Sequence, residues 1–91
     1  MEFKKESDRI YLEDEIGKTI AEITFPHISD DVVNIDHTYV DQSLRGQGVA
    51  GKLMLAVTEH LRNNNKKAKA TCSYAVDWFD EHNEYDDIYI K

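Results

Sequence analysis

Three glycines fall within the stretch Leu44-Arg45-Gly46-Gln47-Gly48-Val49-Ala50-Gly51-Lys52, between a β-like run ending near Val40 and an apolar-periodic stretch starting near Gly48. Glycines placed there leave backbone N–H groups open at the start of a helix. Unpaired donors and the positive end of the macrodipole favour an anion at that point, and no Cβ keeps it away from the backbone. The pattern predicts a ligand that carries phosphate. Two other residues could do chemistry: His37, just ahead of the loop, and Cys72, the only cysteine.

Each has a plain reading beside the chemical one. Cys72 is either a small buried side chain alongside Ala68 and Ala70 or a working thiol; as a nucleophile it must be thiolate, which requires a cation or a helix N-terminus to lower a pKa of about 8.5. His37 shares a strand face with Val33, Ile35 and Tyr39, as a core histidine would, yet its imidazole suits a base near neutrality. His27, His60 and His82 are scattered over turn and helix positions, and no pair has metal-ligand spacing. No metal is expected.

Three phosphate motifs overlap in the loop. Gly46-x-Gly48-x-x-Gly51 spells the dinucleotide fingerprint, but an acidic ribose partner belongs about 20 residues on, where this chain has Thr71, Cys72 and Ser73. Gly46-x-x-x-x-Gly51-Lys52 nearly spells a Walker loop, but Leu53 stands where a hydroxyl should hold magnesium. The third pattern is Arg45-x-x-Gly48-x-Ala50.

The elements that must position these residues follow from periodicity. Arg9–Glu13 and Thr19–Phe25 alternate around a turn at Gly17 and read as a β-hairpin, with Ala21, Ile23 and Phe25 on one face and Pro26 ending the second strand. Val32–Val40 reads as one strand leading into the loop. Val49, Leu53, Ala56, Val57, His60 and Leu61 form one helical stripe, ended by Asn63-Asn64-Asn65. Lys66–Ser73 is the next strand, parallel to the strand before the loop. Tyr74–His82 is a short helix with Ser73 as its N-cap and Trp78 and Phe79 in the core, and Ile88–Ile90 is a closing strand.

Composition sets the outer limits. The chain has 91 residues, 41% hydrophobic and 32% charged, which suits one globular domain over 1–91. Its net charge of −7 would repel a nucleic-acid backbone, so no nucleic-acid partner is expected. The acidic balance serves solubility first and attraction of a cationic acceptor second. No apolar run reaches the roughly 20 residues a bilayer span needs, and Met1–Glu6 has no apolar leader core. The expectation is a cytoplasmic protein without membrane partners, a monomer or weak dimer.

Arg45-x-x-Gly48-x-Ala50 resembles the Gln/Arg-x-x-Gly-x-Gly/Ala signature with which the GNAT acetyltransferase superfamily grips the pyrophosphate of acetyl-coenzyme A (acetyl-CoA). With Asn34-Ile35-Asp36-His37-Thr38 before it and Thr71-Cys72-Ser73-Tyr74 after it, nearly the whole chain is similar to the minimal single-domain GNAT-like N-acetyltransferases. The resemblance implies an α+β fold with a mixed sheet: N-terminal antiparallel strands, a β-loop-α-β acetyl-CoA-binding core, then a short helix and strand. It implies acetyl-CoA as co-substrate, its pantetheine arm pairing with Thr38, Tyr39 and Val40 and its pyrophosphate resting on Gln47 to Lys52, with Arg45 and Lys52 as phosphate contacts. The run Lys66, Lys67 and Lys69 is a solvated helix end first and a contact for the coenzyme ribose phosphate second.

The resemblance also favours a working Cys72, as acetyl-accepting nucleophile or as the thiol that helps protonate leaving coenzyme A, with His37 as a candidate base. Larger GNAT enzymes have helices between their first two strands; here only Asp14–Lys18 connects them. The implied activity is acetyl transfer to an amine on a small molecule or protein. The competing expectation is a coenzyme A or acetyl-CoA binding or sensing module without turnover, and a third is an interaction domain with an acidic face.

Overall fold

The structure is a computed structural model that describes residues 2–91. Six strands and two helices follow one another as β1 (Lys4–Glu6), β2 (Arg9–Glu13), β3 (Thr19–Thr24), β4 (Val32–Ile35), β5 (His37–Val40), α1 (Val49–Asn63), β6 (Lys67–Ala70) and α2 (Ser73–Glu81). The α+β architecture matches the expectation. β1, β2, β3 and β5 form an antiparallel sheet in that order, and β4 pairs β6 in parallel.

The β2–β3 hairpin forms where alternation predicts it, with Ala21, Ile23 and Phe25 fully buried. β1 was not foreseen: Lys4-Lys5-Glu6 has no apolar alternation and is held by its ladder to β2 and by the Lys4–Glu13 ion pair. It corrects the connectivity as well. The first two strands are joined by the tight turn Ser7–Asp8, and Asp14–Lys18 joins the second to the third.

Val32–Val40 is not one strand. His27 lies opposite Val33, whereas Thr24 lies opposite His37, so the register slips by one residue and leaves Asp36 as a β-bulge, its amide directed to the Thr24 carbonyl at 3.3 Å. An inserted residue inverts the faces that follow. Val33 and Ile35 are buried, but His37 and Tyr39 are exposed, and the inward positions become Thr38 and Val40. The single face expected for Val33, Ile35, His37 and Tyr39 is therefore split.

Val49, Leu53, Val57 and Leu61 bury one stripe of α1 as expected, joined by Met54 and Thr58. The helix ends in the asparagine run, where Asn65 takes the left-handed conformation at φ 55°. β6 is shorter than expected because Cys72 and Ser73 already serve α2. Cys72 is the N-cap and Ser73 the first helical residue, so the expected Ser73 cap is displaced by one. The closing strand reduces to one bridge between Ala68 and Tyr89. Ile10, Ile23, Phe25, Val33 and Ile35 pack beneath α1, with Trp78 and Phe79 of α2 in the same core.

Candidate active site

The loop entering α1 is tied at one end and open at the other. Asp41 accepts the Ser43 amide at 3.0 Å and the Ser43 hydroxyl at 2.6 Å. Those bonds, the hydroxyl first, and the Tyr39 hydroxyl hold its carboxyl down at about 2. The Arg45 amide reaches the Gln42 carbonyl at 3.2 Å. Gly46 at φ +83° and Gly48 at φ +69° then turn the chain through the left-handed region, and Gly48 becomes the N-cap without any side-chain cap bond.

From Gly46 through Gly51 no backbone amide has an acceptor among the described residues; the first to be engaged is Lys52, donating to the Gly48 carbonyl at 3.1 Å. Six successive donors at a helix N-terminus form an anion cradle. A cleft of about 260 Å³ lies against it, walled by Leu44–Gly46, Gly48–Gly51, Val40 and Tyr74. Arg45 and Lys52 are exposed beside the cradle and have no carboxylate partner among the described residues. Gln47 is exposed and outside the cleft wall.

Lys66 and Lys67 do not join the cradle. They follow the C-terminus of the 15-residue α1, about 20 Å from its first turn at 1.5 Å per residue. Lys66 meets His27 at 2.8 Å, and Lys67 donates to the Asp87 carbonyl at 2.8 Å. Both therefore stand at the far end of α1 from the cradle.

β5 and β6 part at the bulge. Because the Asp41 amide donates to the Ile20 carbonyl at 2.8 Å and antiparallel pairs alternate, Tyr39 exchanges its backbone bonds with Glu22. Thr38 and Val40 therefore turn their N–H and C=O groups to the open side. Of the three residues expected to pair with a ligand arm, the register leaves Val40 and the Thr38 carbonyl open, directs the Thr38 amide toward Cys72 and takes Tyr39 away.

Cys72 stands across the opening. Its sulfur lies 3.5 Å from the Thr38 hydroxyl, and it is half-buried at the head of α2. Burial pushes its thiol up, but the Thr38 hydroxyl and the backbone amides of Ala75, Tyr74 and Thr38 together pull it below the ordinary value. The helix N-terminus expected to activate the thiol is thus present. His37 is exposed and, one residue from Thr38, points to the opposite face of β5. The bulge therefore separates the two residues expected to work together.

Tyr74 was not singled out from sequence. It lies 39% exposed, and a Cβ built on Gly51 would meet its hydroxyl at 3.8 Å, so it closes the cleft between the two helix N-termini. Its position directly after Cys72-Ser73 was the available signal. Burial first, then Glu81 and Cys72, raise its phenol above the ordinary value.

The chain that carries this arrangement, a glycine cradle at a helix start beside strands that splay, belongs to the GCN5-related N-acetyltransferase family, whose model matches residues 9–88. The solution structure of a GCN5-like candidate N-acetyltransferase from Staphylococcus aureus is similar at 40% identity with a TM-score of 0.81, over 98% of this chain and 87% of that one. Two crystal structures share the fold alone. One, of a candidate phosphinothricin N-acetyltransferase, is 22% identical with a TM-score of 0.61, over 86% of this chain and 53% of the other. The second, a candidate acetyltransferase from Deinococcus radiodurans R1, is 16% identical with a TM-score of 0.62, over 80% and 51%. This chain spans about half the length of those two. A comparison with curated proteins gave no match. Among the described residues no helix is long and apolar enough to cross a membrane.

Proposed function

We propose that the protein transfers an acetyl group from acetyl-CoA to an amine. The observation that carries this reading is the run of six acceptor-free amides from Gly46 to Gly51 at the N-terminus of α1. They suit a pyrophosphate, with Arg45 and Lys52 adding charge at either side. The open backbone groups of Val40 and the Thr38 carbonyl suit the amides of a pantetheine arm laid into the splay, which leads toward Cys72.

Two roles fit the thiol. As nucleophile, the Cys72 thiolate attacks the thioester carbonyl; a new sulfur–carbon bond forms, the bond to coenzyme A breaks, and the leaving thiolate takes a proton from solvent. An amine then displaces Cys72 and loses its own proton to solvent. Alternatively the amine attacks acetyl-CoA directly and loses its proton to solvent, the thioester carbon–sulfur bond breaks, and Cys72 gives its proton to the leaving thiolate and regains one from solvent. Intact mass after incubation with acetyl-CoA separates the two, since the first adds one acetyl group to Cys72 until an amine is supplied.

A second reading has an observation of its own. Only the Ser7–Asp8 turn joins β1 to β2, and His37 is turned to the face of β5 away from Cys72. Both fit a module that binds or senses the coenzyme without turnover. Under the first reading the acceptor is an amine on a small molecule or a protein.

Titration with acetyl-CoA followed by amide NMR tests the common core of both readings. The expected result is shifts confined to Gly46–Lys52, Thr38 and Val40. No shift at roughly millimolar ligand overturns them.

A further inference from the structure

We propose that the Thr38 hydroxyl is a positioning residue that holds the Cys72 sulfur at the mouth of the splay, aimed into the opening where β5 and β6 separate. The inference rests on the reading of Cys72 as the reacting thiol and adds a residue whose side chain that reading does not use.

The geometry is specific. Thr38 and Cys72 are 34 residues apart and belong to the two arms of the splay, yet their side chains meet at 3.5 Å. Thr38 stands opposite Ile23, on the face that also holds the fully buried Ala21 and Phe25. A hydroxyl on an apolar face is unfavourable unless it is paired, and Cys72 is its side-chain partner among the described residues. The β-branched side chain restricts χ1, so the oxygen is aimed in advance. Only the bulge at Asp36 makes this possible, since unbroken alternation would have turned Thr38 outward and His37 inward.

The surroundings single out the hydroxyl as well. Backbone amides of Ala75 and Tyr74 from α2 and of Thr38 from β5 act on the sulfur beside the Thr38 hydroxyl, and Cys72 has no salt-bridge partner among the described residues. From α2 the titratable neighbour is Tyr74; from β5, His37 is turned away; from the end of β6, Thr71 is engaged by Asn34 at 3.0 Å. Among the described residues the Thr38 hydroxyl is the side-chain hydrogen-bond partner of the sulfur, and once the thiol is ionised the hydroxyl is the donor. A donor so placed favours the charged form and fixes which lone pairs remain for attack.

The test is thiol alkylation by iodoacetamide across about pH 6 to 10, on the free protein without acetyl-CoA, with amide spectra recorded for each variant. Alkylation forms one sulfur–carbon bond and releases iodide, and its rate reads the thiolate population. Thr38→Val keeps the shape and removes the hydroxyl; Thr38→Ser restores it. The expected result for Thr38→Val is a midpoint moved to higher pH and a neutral-pH rate about 3- to 10-fold lower, with Thr38→Ser close to the parent. A merely structural contact would alter the high-pH plateau and leave the midpoint in place. If Thr38→Val follows the parent profile, or Thr38→Ser is as slow as Thr38→Val, the proposal is wrong. The coenzyme titration stands apart: a failed alkylation test leaves the cradle reading intact, and a failed titration leaves the Thr38 result standing.

Discussion

The carbonyl of Ile35 accepts the amide of Cys72 at 3.2 Å, beside that of Thr71 at 3.1 Å, and no backbone bond joins the two strands beyond it among the described residues. Ile35 is also the last residue before the Asp36 bulge. One position therefore ends the pairing with β6 and starts the re-phased pairing with β3. The opening and the turning of Thr38 toward Cys72 share this single cause, because the extra residue that lets β5 leave β6 also inverts its faces.

Gly48 and Gly51 of the cradle should respond to alanine with opposite signs. At Gly48, with φ +69°, a Cβ is strained, and Gly48→Ala should lower stability by about 1 kcal/mol and weaken acetyl-CoA binding. Gly51 lies inside α1 with ordinary helical φ, and its added Cβ meets only the Tyr74 hydroxyl at 3.8 Å, an ordinary contact. Gly51→Ala should raise stability by about 0.5–1 kcal/mol through helix propensity. Urea unfolding of both variants checks the opposite signs.

Asp41 anchors the approach to the cradle, and its carboxyl is held at about 2 by the Ser43 hydroxyl first, then the Ser43 amide and the Tyr39 hydroxyl. A carboxyl depressed below 3.8 on folding contributes stability above that value and loses it as pH falls toward about 2. Asp41→Asn should remove this dependence, speed hydrogen exchange at the Ser43 amide and weaken acetyl-CoA binding about 2- to 5-fold by loosening the segment that carries Gly46. Exchange rates and the coenzyme titration measure both effects. Unchanged exchange at Ser43 would show that the cap does not order the loop.

Much of this was legible in the chain because it depends on local periodicity. Ala21, Ile23 and Phe25 announce a strand face; Val49, Leu53, Val57 and Leu61 announce a helix face; Gly46, Gly48 and Gly51 announce open amides at a helix start, though not the left-handed turn that shapes them. β1 was hidden because an edge strand of Lys4-Lys5-Glu6 buries nothing and exists only through its partner. The bulge was hidden for a deeper reason. A slip of one residue is a property of pairing between chain segments, and Val33, Ile35, His37 and Tyr39 read as one face until the partner strand is known. That is why His37 looked like the neighbour of Cys72 and Thr38 did not.

His60 gives the fold a mild acid sensitivity. Burial first, then Lys5, Lys66 and His27, push its imidazole below the ordinary 6.5. The unfolded chain therefore takes up a proton that the folded chain refuses, so this contribution to stability is full above 6.5 and falls as pH drops toward the folded value. The urea midpoint of the parent should fall between pH 7.5 and 5.5. The fall should be smaller in His60→Gln, which keeps polar atoms in the half-buried site but does not titrate. Parallel midpoints across that range would place the sensitivity elsewhere.

Cys72→Ala separates transfer from binding. The sulfur is half-buried between Thr38 and the first turn of α2, and Cys72 contributes its backbone to two bonds that alanine retains: its amide to Ile35 and its carbonyl to the Val76 amide at 3.0 Å. The variant should fold with a loss of about 1 kcal/mol for one buried atom and one weak hydrogen bond. The cradle amides from Gly46 to Gly51 do not involve the sulfur, so coenzyme shifts there should persist. If Cys72 carries the acetyl group, the variant gains no mass from acetyl-CoA and loses amine acetylation by about 100-fold or more. If it only protonates the leaving thiolate, the parent gains no mass and the variant slows by about 10-fold, because water can replace a proton donor far better than it can replace a nucleophile. Equal amine acetylation by parent and variant would remove Cys72 from the chemistry. Absence of turnover in both, with coenzyme shifts intact, would favour the binding module.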